Sequence, residues 1–240
     1  MPSCIKLLTL TCCLAGAAVY ASPVFVTSPG AMGENDTTNW SQLGSDGTLL
    51  ASTFTANSVN ANVVHGSLTG PNSTVAVVCP SSPSCSWSPA SPPAFNAGDS
   101  LIWTSNGNGG GNGPLTLKFS AEFGAGAYLE ADAPGQFTAK LQVFYGTNSS
   151  VSETVTSDAN GDPVFLGALD STKDITSEIF SLTSCGIGCS TADFAVDTLF
   201  LTGNKMTGVP EPQSFAYVLL AVGLLLLSAR VRSRLKFFQN

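Results

Sequence analysis

The sequence predicts an all-β fold, an antiparallel two-sheet sandwich or jelly roll, flanked by one apolar helix at each end. Three observations predict it. Short apolar stretches alternate with period two and recur at a spacing of about 8–12 residues between turn-forming clusters. Gly, Ser, Thr and Asn are abundant while Lys, Glu and Arg are scarce, which favours strands and turns over helices. Between the two ends no stretch carries a convincing helical period. The roughly 190 residues between the ends suffice for one domain with a sizeable core.

Residues 1–21 read as a secretory signal peptide. Lys6 is the lone positive residue ahead of an apolar stretch, and Val19-Tyr20-Ala21 suits cleavage between Ala21 and Ser22. Cys13 is the alternative, as a lipoprotein site, but the residue before it is Cys12 rather than a small one. A retained transmembrane helix is disfavoured by the shortness of the run. Ahead of 62, an edge strand at 43–51 is the one strand expected. Strands at 62–68 and 74–79 form an expected first pair through Thr69-Gly70-Pro71-Asn72. Residues 80–98 hold five prolines and read as a loop. A strand at 101–104 precedes a flexible NGNGGGNG link at 106–113. At 115–119, Leu115, Leu117 and Phe119 share one face. A strand at 127–130 ends in a turn at Asp132-Ala133-Pro134-Gly135. Over 137–145, Phe137, Ala139, Leu141, Val143 and Tyr145 share one side, opposite Lys140 and Gln142. Strands at 151–156, 163–169, 175–182 and 194–201 complete the set. The organisation expected is therefore a leader at 1–21, a sandwich at 22–204, a linker at 205–212 and a C-terminal helix with a basic end at 213–240.

Once both ends are set aside, residues 22–210 keep four lysines against fifteen acidic residues, a net charge of −11. A nucleic-acid partner is excluded on that ground, since phosphate binding needs a basic face. Three of the seven cysteines fall in the leader. The other four form two close pairs, Cys79 with Cys85 and Cys185 with Cys189. In an exported chain such pairs read as disulfides, and of the three connectivities local pairing is the expectation. A zinc site is the alternative, but the five-residue gap between Cys79 and Cys85 fits it poorly.

Catalytic signatures are weak. His65 is the one histidine, and neither a GxSxG elbow nor an HExxH pair accompanies it. Glu122, Glu130 and Asp132 form the nearest carboxylate cluster, and Glu130 and Asp132 share a strand face. Paired carboxylates can hydrolyse glycosides, but both of these flank a turn, where a solvated edge is the plainer reading. The glycines at 109–111 lack the GK[ST] of a phosphate loop. No enzyme activity and no organic cofactor is expected. Asp197 stands in an apolar strand with Asp193 nearby, which is costly unless the carboxylate is paired or on a metal. It is the candidate ligand of a structural calcium, against an Asp that hydrogen-bonds a neighbouring turn.

The C-terminal stretch is the most specific part of the chain. Val209-Pro210-Glu211-Pro212 precedes an uncharged apolar run at 215–229, and Arg230, Arg232, Arg234 and Lys236 follow it. Fifteen helical residues reach about 22 Å, short of a ~30 Å hydrocarbon core, though Gln213, Ser214 and Val231 can extend the span. The basic cluster is expected on the cytoplasmic side. Both prolines interrupt a helix and hold the segment extended. A plain single-pass anchor explains the run and the charges. The order of the three elements closely resembles the PEP-CTERM tail of exported bacterial proteins. That resemblance covers 209–236 and implies recognition by a membrane processing enzyme, exosortase. In a bacterium the four Asn-x-Ser/Thr sites at Asn35, Asn39, Asn72 and Asn148 carry little weight.

Residues 101–203 resemble, more loosely, the jelly-roll ectodomains common among PEP-CTERM proteins, which are similar in outline to lectin-like sandwiches. Those resemblances imply an exported protein, inserted in the inner membrane by its tail and then placed at the cell surface or in the matrix. A structural or adhesive role in extracellular polysaccharide is the expectation. A carbohydrate-binding module is the alternative, marked by Trp87, Trp103 or Tyr128 exposed on one face. A glycan-active enzyme would instead show convergent carboxylates in a cleft.

Overall fold

The computed structural model describes residues 22–69, 73–78, 87, 95, 98–105 and 110–204. Ala21 and the leader before it, Cys79 and Cys85, the Val209-Pro210-Glu211-Pro212 motif and the basic stop lie outside them. Among the described residues no helix is long and apolar enough to cross a membrane.

From the amino end the chain runs through β1 (Val24–Val26), helix α1 (Pro29–Met32), β2 (Asp36–Thr38) and a 3-10 helix (Trp40–Leu43). Next come β3 (Thr48–Leu50), β4 (Thr53–Asn57), β5 (Val63–Leu68), β6 (Val75–Val78) and β7 (Leu101–Trp103). The long strands are β8 (Leu115–Glu122), β9 (Gly124–Ala131), β10 (Thr138–Tyr145) and β11 (Ser149–Thr156). The chain closes with β12 (Val164–Leu169), β13 (Ile175–Ser184), β14 (Phe194–Val196) and β15 (Leu199–Thr202).

Two antiparallel sheets result, as the alternation predicts. A nine-stranded sheet runs β1-β12-β9-β14-β7-β6-β3, with β15 pairing β9 and β2. A six-stranded sheet runs β11-β10-β13-β8-β5-β4. Their inner faces close one core. Leu115, Leu117, Leu141, Val143 and Phe180 enter it from the six-stranded side, and Ala125, Ala127, Leu129, Val196 and Leu201 from the other. Burying each Leu, Val or Phe contributes roughly 1.5–3 kcal/mol. Trp40 seals one end, edge-on to Phe54 at 6.1 Å, and its indole N–H donates to the Asp197 carbonyl at 2.9 Å.

A second apolar layer lies on the outer face of the nine-stranded sheet. Gly126 faces Gly167 across the β9–β12 pair. A Cβ on Gly126 would stand 2.8 Å from the Phe165 ring. The two glycines thus open a floor on which Tyr128, Phe165 and Phe200 pack edge to face. Trp87 extends this layer, in edge contact with Phe95 and Trp103.

Several expectations need correction. The 62–68 and 74–79 segments are not a hairpin: β5 pairs β4 and β8 in one sheet, and β6 pairs β3 and β7 in the other. Strand β4, unread in the sequence because Thr53-Phe54-Thr55-Ala56-Asn57 is so polar, claims the β5 edge instead. The stretch at 194–201 is two strands, because Asp197 and Thr198 interrupt it. The Asp197 carboxylate there accepts from the Thr198 N–H and hydroxyl. β1 and β2, also unread, are short strands at 24–26 and 36–38. Asp36 secures β2 by accepting from the Thr37 and Asn60 N–H groups, the Ser58 hydroxyl and the Asn62 amide. Cys185 and Cys189 are joined as a disulfide with Cα atoms 5.8 Å apart, as expected. Closing so short a loop stabilises by about 2 kcal/mol in the chain-entropy account.

Candidate functional site

The outer face of the six-stranded sheet is open, and its composition follows from the alternation that fills the core. Every side chain between two core positions points away from the other sheet. The registers align these outward residues in rows across all six strands. One row is Thr55, His65, Lys118, Ser177, Phe144 and Ser150. Its neighbour is Thr53, Ser67, Thr116, Ile179, Gln142 and Ser152. Lys140 follows further along β10, between Ser181 and Thr154.

Two adjoining hollows occupy this face, of about 680 and 380 Å³, and share Ser67 and Lys118. The larger is lined by Thr116, Phe144, Ser177 and Ile179, and ends at Tyr145, Gly146 and Asn148. The smaller carries Thr53, Thr55 and His65. Together they form a shallow trough floored by hydroxyls, with Phe144 and Ile179 as apolar ledges. Thr55 and His65 Nδ1 are hydrogen-bonded at 3.1 Å, and the Gln142 amide donates to Ser150 at 3.3 Å. Ser22, the expected first residue of the exported form, meets the Tyr145 hydroxyl at 3.0 Å at the end of the trough.

Ile179 reaches this face through an irregularity. Counting by twos from Ile175 puts Ile179 in the core and Glu178 in solvent. Against β10, Ile175 and Ser177 lie opposite the adjacent residues Tyr145 and Phe144, so Thr176 is an extra residue and the order inverts. Glu178 then faces the core between Leu117 and Val143, fully buried, and among the described residues neither carboxylate oxygen has a hydrogen-bond partner. Burial pushes its pKa well above the usual carboxylate value.

The carboxylates singled out in the sequence do not converge. Glu122 ends β8 and is buried, with Lys173 Nζ at 3.3 Å. Its carboxyl is raised by burial, against the pull of Lys173. Glu130 lies near the far end of β9, about 20 Å away at strand rise, on the outer side of the nine-stranded sheet. Asp132 and Asp193 are neighbours there, since the Asp132 N–H donates to the Asp193 carbonyl at 3.1 Å. Asp193 also accepts from the Trp103 indole at 2.8 Å. Burial, with Asp132 nearby, pushes Asp193 up to about 6. Asp197, with its two Thr198 donors, is pushed by burial up to about 7. Among the described residues no group of three or more His, Cys, Asp or Glu side chains is placed to hold a metal. Trp87 and Tyr128 are buried and Trp103 is half-buried, so these aromatics do not form an exposed platform.

No family model matches this chain. No curated protein matches it either.

The trough was not singled out in the sequence. Its signal was present in the polar alternation of 137–145 and 115–119. Assigning it required the pairing order of the strands and the β13 irregularity, neither of which is local.

Proposed function

We propose that this chain is an exported, non-catalytic protein of the cell envelope or extracellular matrix that adheres to polysaccharide through the outer face of its six-stranded sheet. One observation carries the reading: the open trough across that sheet, where hydroxyl and amide groups alternate with the Phe144 and Ile179 ledges. Sugars present the same mixture, hydroxyl edges and apolar ring faces, and a shallow groove accommodates a polymer without enclosing its ends. The export reading rests on the sequence alone. The leader, the Val209-Pro210-Glu211-Pro212 motif, the apolar run and the basic stop support delivery to a membrane and processing there by an exosortase-type enzyme.

Affinity electrophoresis of the full chain in detergent micelles, through gels containing neutral or acidic polysaccharides, tests the adhesive reading. Retardation by at least one polymer is expected, and it weakens in Phe144→Ala with Gln142→Ala, two substitutions outside the core. If no polymer retards the chain, the role is structural without glycan affinity.

A further inference from the structure

The trough differs in charge from the rest of the molecule. Fifteen acidic residues and four lysines lie between residues 22 and 210. None of those acids occupies an outward position on the six-stranded sheet. Glu178 points into the core. Glu153 pairs with Leu141 and shares its core-side face at the sheet edge. The remaining acids lie in loops, at strand ends or in the other sheet. Of the three lysines among the described residues, two, Lys118 and Lys140, stand on this face, and His65 flanks Lys118. At the end of the trough, Asp174 Oδ2 would stand 3.5 Å from a Cβ on Gly146, but Asp174 is not one of the lining residues.

We infer that this face binds an acidic polysaccharide, a polymer carrying carboxylates at intervals along its chain, with Lys118 and Lys140 as the charge-reading residues. The inference rests on the polysaccharide reading above and names its substrate class. Lys118 lies opposite Ser177 and Lys140 opposite Ser181, on the two strands that flank β13. That offset separates their backbones by roughly 16 Å from strand rise and spacing. One acidic sugar cannot reach both lysines; a polymer laid diagonally over Ile179 can. Hydroxyls between the two charges contact the neutral part of the chain, and Phe144 offers a face to a sugar ring. The strongly acidic remainder repels the polymer elsewhere and directs it to this sheet.

The test uses the full chain in detergent micelles and three probes: a long polyuronate, the same polymer with its carboxyls reduced to alcohols, and free uronate monomer. Binding is followed by fluorescence polarisation of end-labelled polymer and by competition. The polyuronate is expected to bind at least about tenfold more tightly than its reduced form, and Lys118→Gln and Lys140→Gln each to weaken it several-fold. Both substitutions are expected to weaken the reduced polymer far less than the polyuronate, so the ratio of the two affinities falls. Monomer competes poorly, and affinity falls steeply with salt. Equal binding of both polymers, unchanged by either substitution, overturns the acidic assignment and leaves the polysaccharide reading standing. Binding of neither polymer overturns both. Duplex DNA bound as tightly as polyuronate also overturns it, since the face would then read phosphate charge alone.

Discussion

Glu178 shows what a single register irregularity does at the residue scale. Its side chain is in the core because β13 carries one extra residue against β10, and nothing in Ile175-Thr176-Ser177-Glu178-Ile179 announces the slip. The sequence therefore concealed both the buried acid and the Ile179 ledge that the slip turns outward. Carboxylates whose folded pKa is raised bind protons more tightly when folded. Their contribution is fully present below the unfolded value, and it is lost as pH rises through the folded one. Glu178, Asp193 at about 6 and Asp197 at about 7 all have this sign. Asp158, held low by N–H donors from its own turn, has the opposite sign but is exposed. The melting temperature is expected to fall as pH is raised from about 5 to 8. Glu178→Met replaces a fully buried acid by an apolar group of similar length, so it raises stability at pH 8 more than at pH 5. Calorimetry of both proteins across that range checks it; parallel pH profiles would refute the assignment.

Strands carried very unequal signals at the element scale. The 115–119 and 137–145 segments were legible because Leu115, Leu117, Leu141 and Val143 recur at every second position with Thr116, Lys118, Lys140 and Gln142 among them, and all four apolar residues are buried. Partners were not legible. β5 and β6 are consecutive with turn residues between them, yet lie in different sheets, because the polar strand β4 occupies the β5 edge. That pairing depends on one close fit. A Cβ on Gly66 would sit 2.0 Å from the Phe54 ring, which itself packs on Trp40. Gly66→Ala must displace the ring or part the strands, at a cost of about 2–3 kcal/mol. In a Phe54→Ala background the added methyl enters the space left by the ring, so the same substitution costs much less. A double-mutant cycle in urea measures this coupling, and additive effects would show that Phe54 does not limit the site.

At the scale of the whole molecule the two halves of the functional reading rest on different evidence. The trough emerges only when six strands are assembled, whereas the tail is a linear pattern read from the sequence alone, outside the described residues. A short apolar run with a dense basic stop is sufficient to insert and orient a helix. It gives no reason for Glu211 between two prolines. Proline disfavours helix and lacks a backbone donor, so in the proposed reading Glu211 is the one charge of an extended segment that a processing enzyme would recognise. If recognition is the purpose, Glu211 matters and the run's exact composition does not. Glu211→Ala barely changes insertion, since the residue lies outside the apolar run. The expected outcome in the native host is a mature wild-type protein lacking Arg230 to Asn240, with Glu211→Ala keeping those residues and remaining in the inner membrane. Intact mass and cell fractionation measure both. A wild-type protein that retains its basic end, fractionating identically with the variant, would leave the tail as an anchor only. The trough and its polysaccharide reading would be untouched by that result, because the residues that line the trough all belong to the six-stranded sheet and its turns.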